Sequence, residues 1–327
     1  MVINMKKFTR LAFASLLSAT LLASPVSFAN SMKTVRVSQI VEHPALDQVR
    51  QGIFDSLKSH GYIQGKNLDF KFATAQGNPA IAVQIAKQYA GENPDVLVGI
   101  ATPSAQALAA TSQTTPIVYA AVTDPIGAKL IKNTAHPESN VTGLSDRSPV
   151  KQHVALMQEL VPHLKTIGII YNPGESNSIA IVAMLKKYAG EKGIKIVEAT
   201  ALKSADVQSA TQAIAADVDI IYAAMDNTVA SAIESLIRVT NMTKTPVVAA
   251  TDTFVPVGAL ASLGFSNYQV GIQSGDYVAK ILDGEKVANL PARTATGNEL
   301  ILNLKAAKTI GFTFSQAMLG RATKILK

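Results

Sequence analysis

The sequence predicts an α/β protein built as two similar lobes, each a doubly wound parallel sheet flanked by helices. Short apolar strands alternate with helical stretches of roughly 10 to 15 residues, the pattern of βαβ units. The strands read as nearly continuous apolar runs, as strands buried on both faces of a parallel sheet do. The strand, loop and helix order is used twice, at an offset of about 130 residues, too long for a solenoid repeat and right for two domains. At 327 residues the chain has the length of about two ordinary domains.

The elements follow in order. Residues 1–29 read as a secretory signal peptide: Lys6, Lys7 and Arg10 form a basic start, Leu11 to Ala23 is an uncharged apolar run, and Ser27-Phe28-Ala29 is a small-x-small cleavage signature. Cleavage is expected after Ala29, leaving an exported protein with a periplasmic location. Lys33 to Ile40 is the first strand, and Val49, Ile53, Phe54 and Leu57 mark one face of the helix that closes at Gly61. Lys165 to Tyr171 repeats that strand, and Ile181, Met184, Leu185 and Tyr188 repeat the helix. Pro94 to Ile100 resembles Asp217 to Tyr222, each followed by a polar loop and an alanine-rich helix. Thr115 to Ala121 resembles Thr245 to Ala250, and both lead into an Asp in a Thr-containing turn, Asp124 or Asp252.

Composition excludes several function classes. Apolar residues are 48% and charged residues 16%, a globular balance that argues against disorder. There is no cysteine, so disulfides, thiolate metal sites, thiol catalysis and a lipid-modified cysteine are all excluded. Removing the three basic residues of the leader from 30 leaves 27 against 23 acidic, a net +4 with no basic stripe for nucleic acid. The five histidines do not cluster as ligands, so neither metal nor cofactor is expected.

Parallel sheets bind ligands beyond the carboxyl ends of their strands. Those ends carry the candidate site residues Glu42, His43, Thr102, Pro103, Ser104, Thr123, Asp124, Asn172, Asn177, Ser178, Asp226, Asn227, Thr228, Asp252 and Thr253. Thr102-Pro103-Ser104, Asn177-Ser178 and Asn227-Thr228 each precede a helical pattern, where free backbone N–H groups and hydroxyls suit a carboxylate. Asp124, Asp226 and Asp252 are the candidates to meet an ammonium. The same residue types are also ordinary N-caps. His43 before Pro44 either faces the cleft or fixes the turn. Tyr171, Phe254, Phe265 and Tyr268 are candidates for an aromatic slot or for core filling.

Residues 39–47, Ala101-Thr102-Pro103, residues 121–125, Asn140-Val141-Thr142-Gly143, residues 171–175, Asp226-Asn227-Thr228 and Leu263-Gly264-Phe265 resemble the substrate-binding proteins of a bacterial ABC uptake family, some of which bind tryptophan, tyrosine or phenylalanine. The resemblance runs from about Lys33 to Gly311 and departs from the common pattern at Ser104 and Thr253, where alanine and serine are frequent. It implies a type I periplasmic binding protein fold whose lobes are joined by a three-crossover hinge. The crossovers would fall near Asn140 to Pro149, Phe254 to Ala259 and Val287 to Arg293. Lobe one would be 32–145 plus 255–287, and lobe two 146–254 plus 288–327. It also implies a small-molecule ligand, most simply an aromatic amino acid, and an inner-membrane ABC permease as partner, with the binding protein itself monomeric.

Other classes fit less well. A branched-chain or other amino acid, or another small polar solute, remains open as ligand. An exported enzyme would need a motif such as G-x-S-x-G, H-E-x-x-H or G-x-G-x-x-G, and none is present. A transcription regulator of similar core would carry an N-terminal helix-turn-helix where this chain has the leader, and a receptor ectodomain would carry a membrane span.

Overall fold

The computed structural model describes residues 32–327; the expected leader and cleavage site lie outside the described residues. The first lobe opens with β1 (Lys33–Gln39), α1 (Pro44–Ser59), β2 (Leu68–Thr74), α2 (Pro79–Gly91), β3 (Val96–Ile100), α3 (Thr102–Thr111), β4 (Ile117–Ala120) and β5 (Val141–Ser145). The second holds α4 (Val150–Leu160), β6 (Thr166–Tyr171), α5 (Ser176–Gly190), β7 (Lys195–Thr200), α6 (Val207–Ile214), β8 (Ile220–Ala223), α7 (Asn227–Ala230), α8 (Ile233–Thr243), β9 (Val247–Ala249) and β10 (Ala261–Gly264). The chain then returns to the first lobe with α9 (Asn267–Leu282) and β11 (Arg293–Thr294). It ends in the second with β12 (Glu299–Asn303), α10 (Leu304–Ile310), α11 (Gln316–Arg321) and β13 (Lys324–Leu326).

The first sheet has the order β11-β5-β4-β3-β1-β2 and the second β13-β12-β10-β9-β8-β6-β7. Every pairing is parallel except β10 with β12. The run β2-β1-β3-β4 from one edge matches β7-β6-β8-β9, so the repeat in the sequence is a repeat in strand order. Central strands β3, β4 and β5 are buried at every residue, as helices on both faces require, while the edge strand β7 is largely open.

The strand pairings move two of the expected lobe boundaries. Residues 255–264 belong with the second lobe, because β10 pairs with β9 and β12 there. Phe254 to Ala259 is therefore the turn between β9 and β10, and the second crossover follows Gly264. The third crossover follows Thr294, because β11 pairs with β5 of the first sheet. The first lies at residues 146–149, between β5 and α4.

Two close approaches fix this geometry. A Cβ on Gly99 would stand 2.6 Å from the backbone of Ala105, so glycine lets α3 begin two residues after β3 ends and places the helix N-terminus at the sheet edge. Helices α1 and α9 meet backbone to backbone: a Cβ on Gly271 would lie 2.2 Å from the Val49 carbonyl, and one on Gly52 would lie 2.4 Å from the Tyr268 carbonyl. Since α9 directly follows the second crossover, this contact anchors the returning chain to the first lobe. Gly271→Ala is expected to lower unfolding stability by roughly 2 kcal/mol or more in urea, as overpacking against backbone does. Gly190→Ala, where nothing lies within 4 Å, should stay within about 0.5 kcal/mol of wild type.

Candidate functional site

The carboxyl edges of the two sheets face one another across a slot. From the first lobe and the first crossover come His43, Ala45, Leu46, Ala101, Thr102, Ala121, Thr123 and Asp146; from the second come Asn177, Met225, Asp226, Asn227, Ala230 and Phe254. The space is about 330 Å³ when the open solvent at its mouth is counted, and the closed interior of the slot is far smaller. A wider groove continues from it between the lobes, lined among others by Glu42, Pro103, Asn172, Glu175 and Thr228.

Local structure explains how the side chains reach the slot. Pro44 at the first position of α1 holds His43 extended, at φ −159° and ψ 159°, so the imidazole projects past the end of β1. Ala101 and Ala121 have φ of +70° and +54°, left-handed conformations unfavourable to a residue with a Cβ. Each ends a strand and puts a methyl group on the slot wall. Thr102, at the first position of α3, stands where backbone N–H groups have no intrahelical partner.

Polar groups in the slot are unequally satisfied. Among the described residues, eight buried side-chain N or O atoms have no hydrogen-bond partner, and four of them belong here: both ring nitrogens of His43, Thr102 Oγ1 and Asn177 Oδ1. Such atoms are rare in folded proteins, and four of the eight converge on this one cavity. Burial lowers the His43 pKa to about 4 against weaker opposing pulls from the Asp47 charge and from the Asn227 side chain, which stands close to the ring without reaching hydrogen-bond geometry, so the ring is neutral and offers one donor and one acceptor.

The second lobe's polar residues are already tied together. Glu175 accepts from the backbone N–H of Asn227 at 3.3 Å and of Thr228 at 3.2 Å, from Thr228 Oγ1 at 2.9 Å, and from the Asn227 and Asn177 amides. Asp226 accepts from the Asn172 N–H at 2.7 Å, Ser178 Oγ at 2.6 Å and the Val229 N–H at 2.8 Å. Burial, then the nearby Glu175 charge, raises the Asp226 pKa. Asp146 is different: fully buried, it accepts from one side chain, Thr123 Oγ1, at 3.2 Å. Burial pushes its pKa up to about 6.

The structure therefore brings His43, Thr102, Thr123, Asn177, Asp226 and Asn227 together in the slot and puts Glu42, Pro103, Asn172 and Thr228 on the groove. It leaves five candidates outside both. Ser104 is buried beside Ser38, which donates to it at 3.4 Å. Asp124 accepts from the Gly127 N–H at 3.0 Å and closes its own turn. Ser178 is spent on Asp226. Asp252 accepts from Asn267 and Thr251, and Thr253 meets Thr251 at 3.2 Å. Of the aromatic candidates, Phe254 lines the slot; Tyr171 donates to Glu198, Phe265 sits in the first-lobe core, and Tyr268 donates to Asp55 on α1.

Comparison with known proteins decides the family. Residues 34–326 match the family of ABC transporter substrate binding proteins. The chain belongs to this ABC substrate-binding family. A tyrosine-binding protein of Clostridioides difficile strain R20291 is 33% identical over 85% of this chain and 81% of its own. A crystal structure described as a conserved domain protein of Vibrio cholerae O1 biovar El Tor is 59% identical, covers 90% of this chain and 100% of its own, and superposes with a TM-score of 0.89. A domain from Streptococcus pneumonia in complex with L-Trp is 33% identical with the same coverages and a TM-score of 0.87.

As an ABC substrate-binding protein the chain has the type I periplasmic binding fold. The family captures solutes outside the cytoplasm rather than converting them. Among the described residues no helix is long and apolar enough to cross a membrane, and no cluster of three or more His, Asp or Glu could hold a metal ion.

Two acidic residues of the slot and groove were not among the sequence candidates. Asp146 stands on a crossover that has no counterpart in the repeat, and its signal was a lone acid in the Ser-rich stretch 145–148. Glu175 follows the Asn-Pro-Gly turn but looks like any surface glutamate until Asn227 and Thr228 fold onto it.

Asp146 also sets a pH dependence. With a folded pKa near 6 against about 3.9 unfolded, the folded state holds its proton more tightly. Its contribution to stability is therefore full below pH 4 and is lost as pH rises through about 6. Asp146→Asn is expected to unfold like wild type near pH 4 and to be more stable by roughly 1–3 kcal/mol at pH 7.5, measured by thermal unfolding without ligand.

Proposed function

We propose that the protein captures a free aromatic amino acid, tryptophan, tyrosine or phenylalanine, between its two lobes and delivers it to an ABC permease. The observation that carries this reading is the slot with four buried polar atoms lacking partners, drawn from both lobes. An α-amino acid has both donors and acceptors at one end, and the slot offers both: Thr102 and the neutral His43 on the first lobe, Asn177 Oδ1 on the second. The wall of Leu46, Met225, Phe254 and four alanines gives the side chain an apolar, polarisable surface. Relatives at 33% identity that bind tyrosine or hold L-Trp support the aromatic choice.

The ligand acts by bridging. In an open form each lobe offers half of the contacts, and a ligand that completes both halves shifts the population to the closed form by its differential affinity. The protein is exported with cleavage after Ala29, works as a monomer in the periplasm, and presents its loaded form to the inner-membrane permease.

The first test is a thermal-shift panel on refolded, ligand-stripped protein against the twenty amino acids, sugars and polyamines. At 100 times Kd the ligand should add about 2.7 kcal/mol. A shift confined to the aromatic amino acids supports the reading, whereas a shift only with leucine or a sugar sinks it. The chain contains no Trp, so bound L-Trp is its own fluorescent reporter. Thr102→Val provides a residue-level check. It removes a buried hydroxyl that has no partner, so unfolding stability should hold or rise slightly, while affinity for the amino acid should fall about tenfold by calorimetry, a loss of about 1.4 kcal/mol. Unchanged affinity would take Thr102 out of the site.

A further inference from the structure

A ligand amine needs an anionic partner, and four aspartates stand near the strand ends or the first crossover. Asp124 and Asp252 lie outside the slot with their carboxylates already used, by the Gly127 N–H and by Thr251 and Asn267. Asp226 lies inside but accepts three hydrogen bonds from its own lobe and shares its surroundings with Glu175. Asp146 alone combines a place in the slot with spare capacity. It is 2% exposed and receives one side-chain hydrogen bond, the 3.2 Å contact from Thr123.

An ionised carboxylate buried with only the Thr123 hydroxyl and its own backbone N–H as donors is costly unless a positive charge meets it. No Lys or Arg lines the slot, so no protein cation does so within it. Asn177 reinforces the argument. Its amide nitrogen donates to Glu175, Ser178 and the Met225 carbonyl, which fixes the amide so that the unpartnered Oδ1 is an acceptor. A carboxylate from the crossover and a carbonyl oxygen from the second lobe thus line one cavity, and an ammonium has three N–H groups to offer.

We propose that Asp146 is the residue that selects ligands bearing a protonated amine, with Asn177 Oδ1 accepting a second N–H from the same group. The assignment rests on the amino-acid reading above and adds its recognition chemistry. Because Asp146 belongs to the segment joining β5 to α4, an amine held there sits at the crossover itself and ties it to the second lobe through Asn177.

The test is calorimetric titration of wild type and Asp146→Asn with three matched pairs: L-phenylalanine and 3-phenylpropionate, L-tryptophan and indole-3-propionate, L-leucine and 4-methylpentanoate. Wild type should prefer the amine of at least one pair by about tenfold to hundredfold, the range of a hydrogen bond to a charged group. In Asp146→Asn the amino acid should weaken while its deaminated analogue, no longer facing an unpaired buried carboxylate, binds as well or better, a pattern that general damage to the fold does not produce. Asp146→Ser gives the same comparison through an independent replacement, and Asn177→Ala should erode the preference in part. Variants that keep the wild-type preference, or a wild type that binds analogue and amino acid equally, overturn the proposal. Preference for leucine with no binding of either aromatic pair sinks the aromatic reading while upholding Asp146. Binding of no amine-bearing compound among the twenty amino acids overturns both.

Discussion

Parallel pairing of strands is the constraint on which the rest of this molecule depends. A strand that pairs in parallel with its neighbour must be reached by a crossover, and right-handed crossovers return every following helix start to the same edge of the sheet. That is why Ala101 and Thr102 after β3, Ala121 and Thr123 after β4, and Asp226 and Asn227 after β8 converge although more than 120 residues separate the first pair from the last. Two sheets built alike, turned edge to edge, then make a slot whose walls are helix starts and strand ends. The apolar centre of each sheet, β3, β4 and β5 in the first, can be buried on both faces because the polar work is confined to one rim.

The two rims differ in how much they do for themselves. In the second lobe Glu175 and Asp226 gather Asn172, Asn177, Ser178, Asn227 and Thr228 into a network in which nearly every donor is used. Its carboxylates are organisers, and Asn177 Oδ1 is the acceptor left facing the slot. In the first lobe His43 and Thr102 are left without partners, and Asp146 on the adjoining crossover has one. Buried polar groups in this state are unfavourable when dry and well satisfied when wet. Opening the lobes hydrates the first-lobe groups, and closing them is favoured when something with complementary charges replaces that water.

Much of this was legible in the sequence, and the boundary of legibility has a physical cause. The repeat located the strands, and the strands located their ends, so His43, Thr102, Thr123, Asn177, Asp226 and Asn227, which line the slot, stood among the candidates from pattern alone. Asp124 and Asp252 were named by the same logic and lie elsewhere, because an Asp that closes its own turn and an Asp that faces a ligand are the same residue type in the same local pattern. Asp146 carries no such mark, since a crossover has neither the period of a strand nor that of a helix. The lobe boundaries slipped for a related reason: β10 and β11 are only four and two residues long, and their lobe is set by pairing with strands distant in sequence.

The left-handed alanines bear on how closure is driven. Holding Ala101 and Ala121 at positive φ costs about 1–3 kcal/mol each, and glycine would take those angles without strain. Glycine would also remove two methyl groups from the first-lobe wall of the slot, enlarging it. The strain is sustained because the surrounding sheet holds the chain on both sides of each alanine. Moving a two-state equilibrium from 1:99 to 99:1 needs about 5.5 kcal/mol of differential affinity. A ligand gripped by one lobe alone has none to give, since it binds the open and closed forms alike. Because the slot's unpaired polar atoms come from both lobes, with Asn177 Oδ1 on the second, the full set of hydrogen bonds forms only on closure, which is the property a capture protein requires.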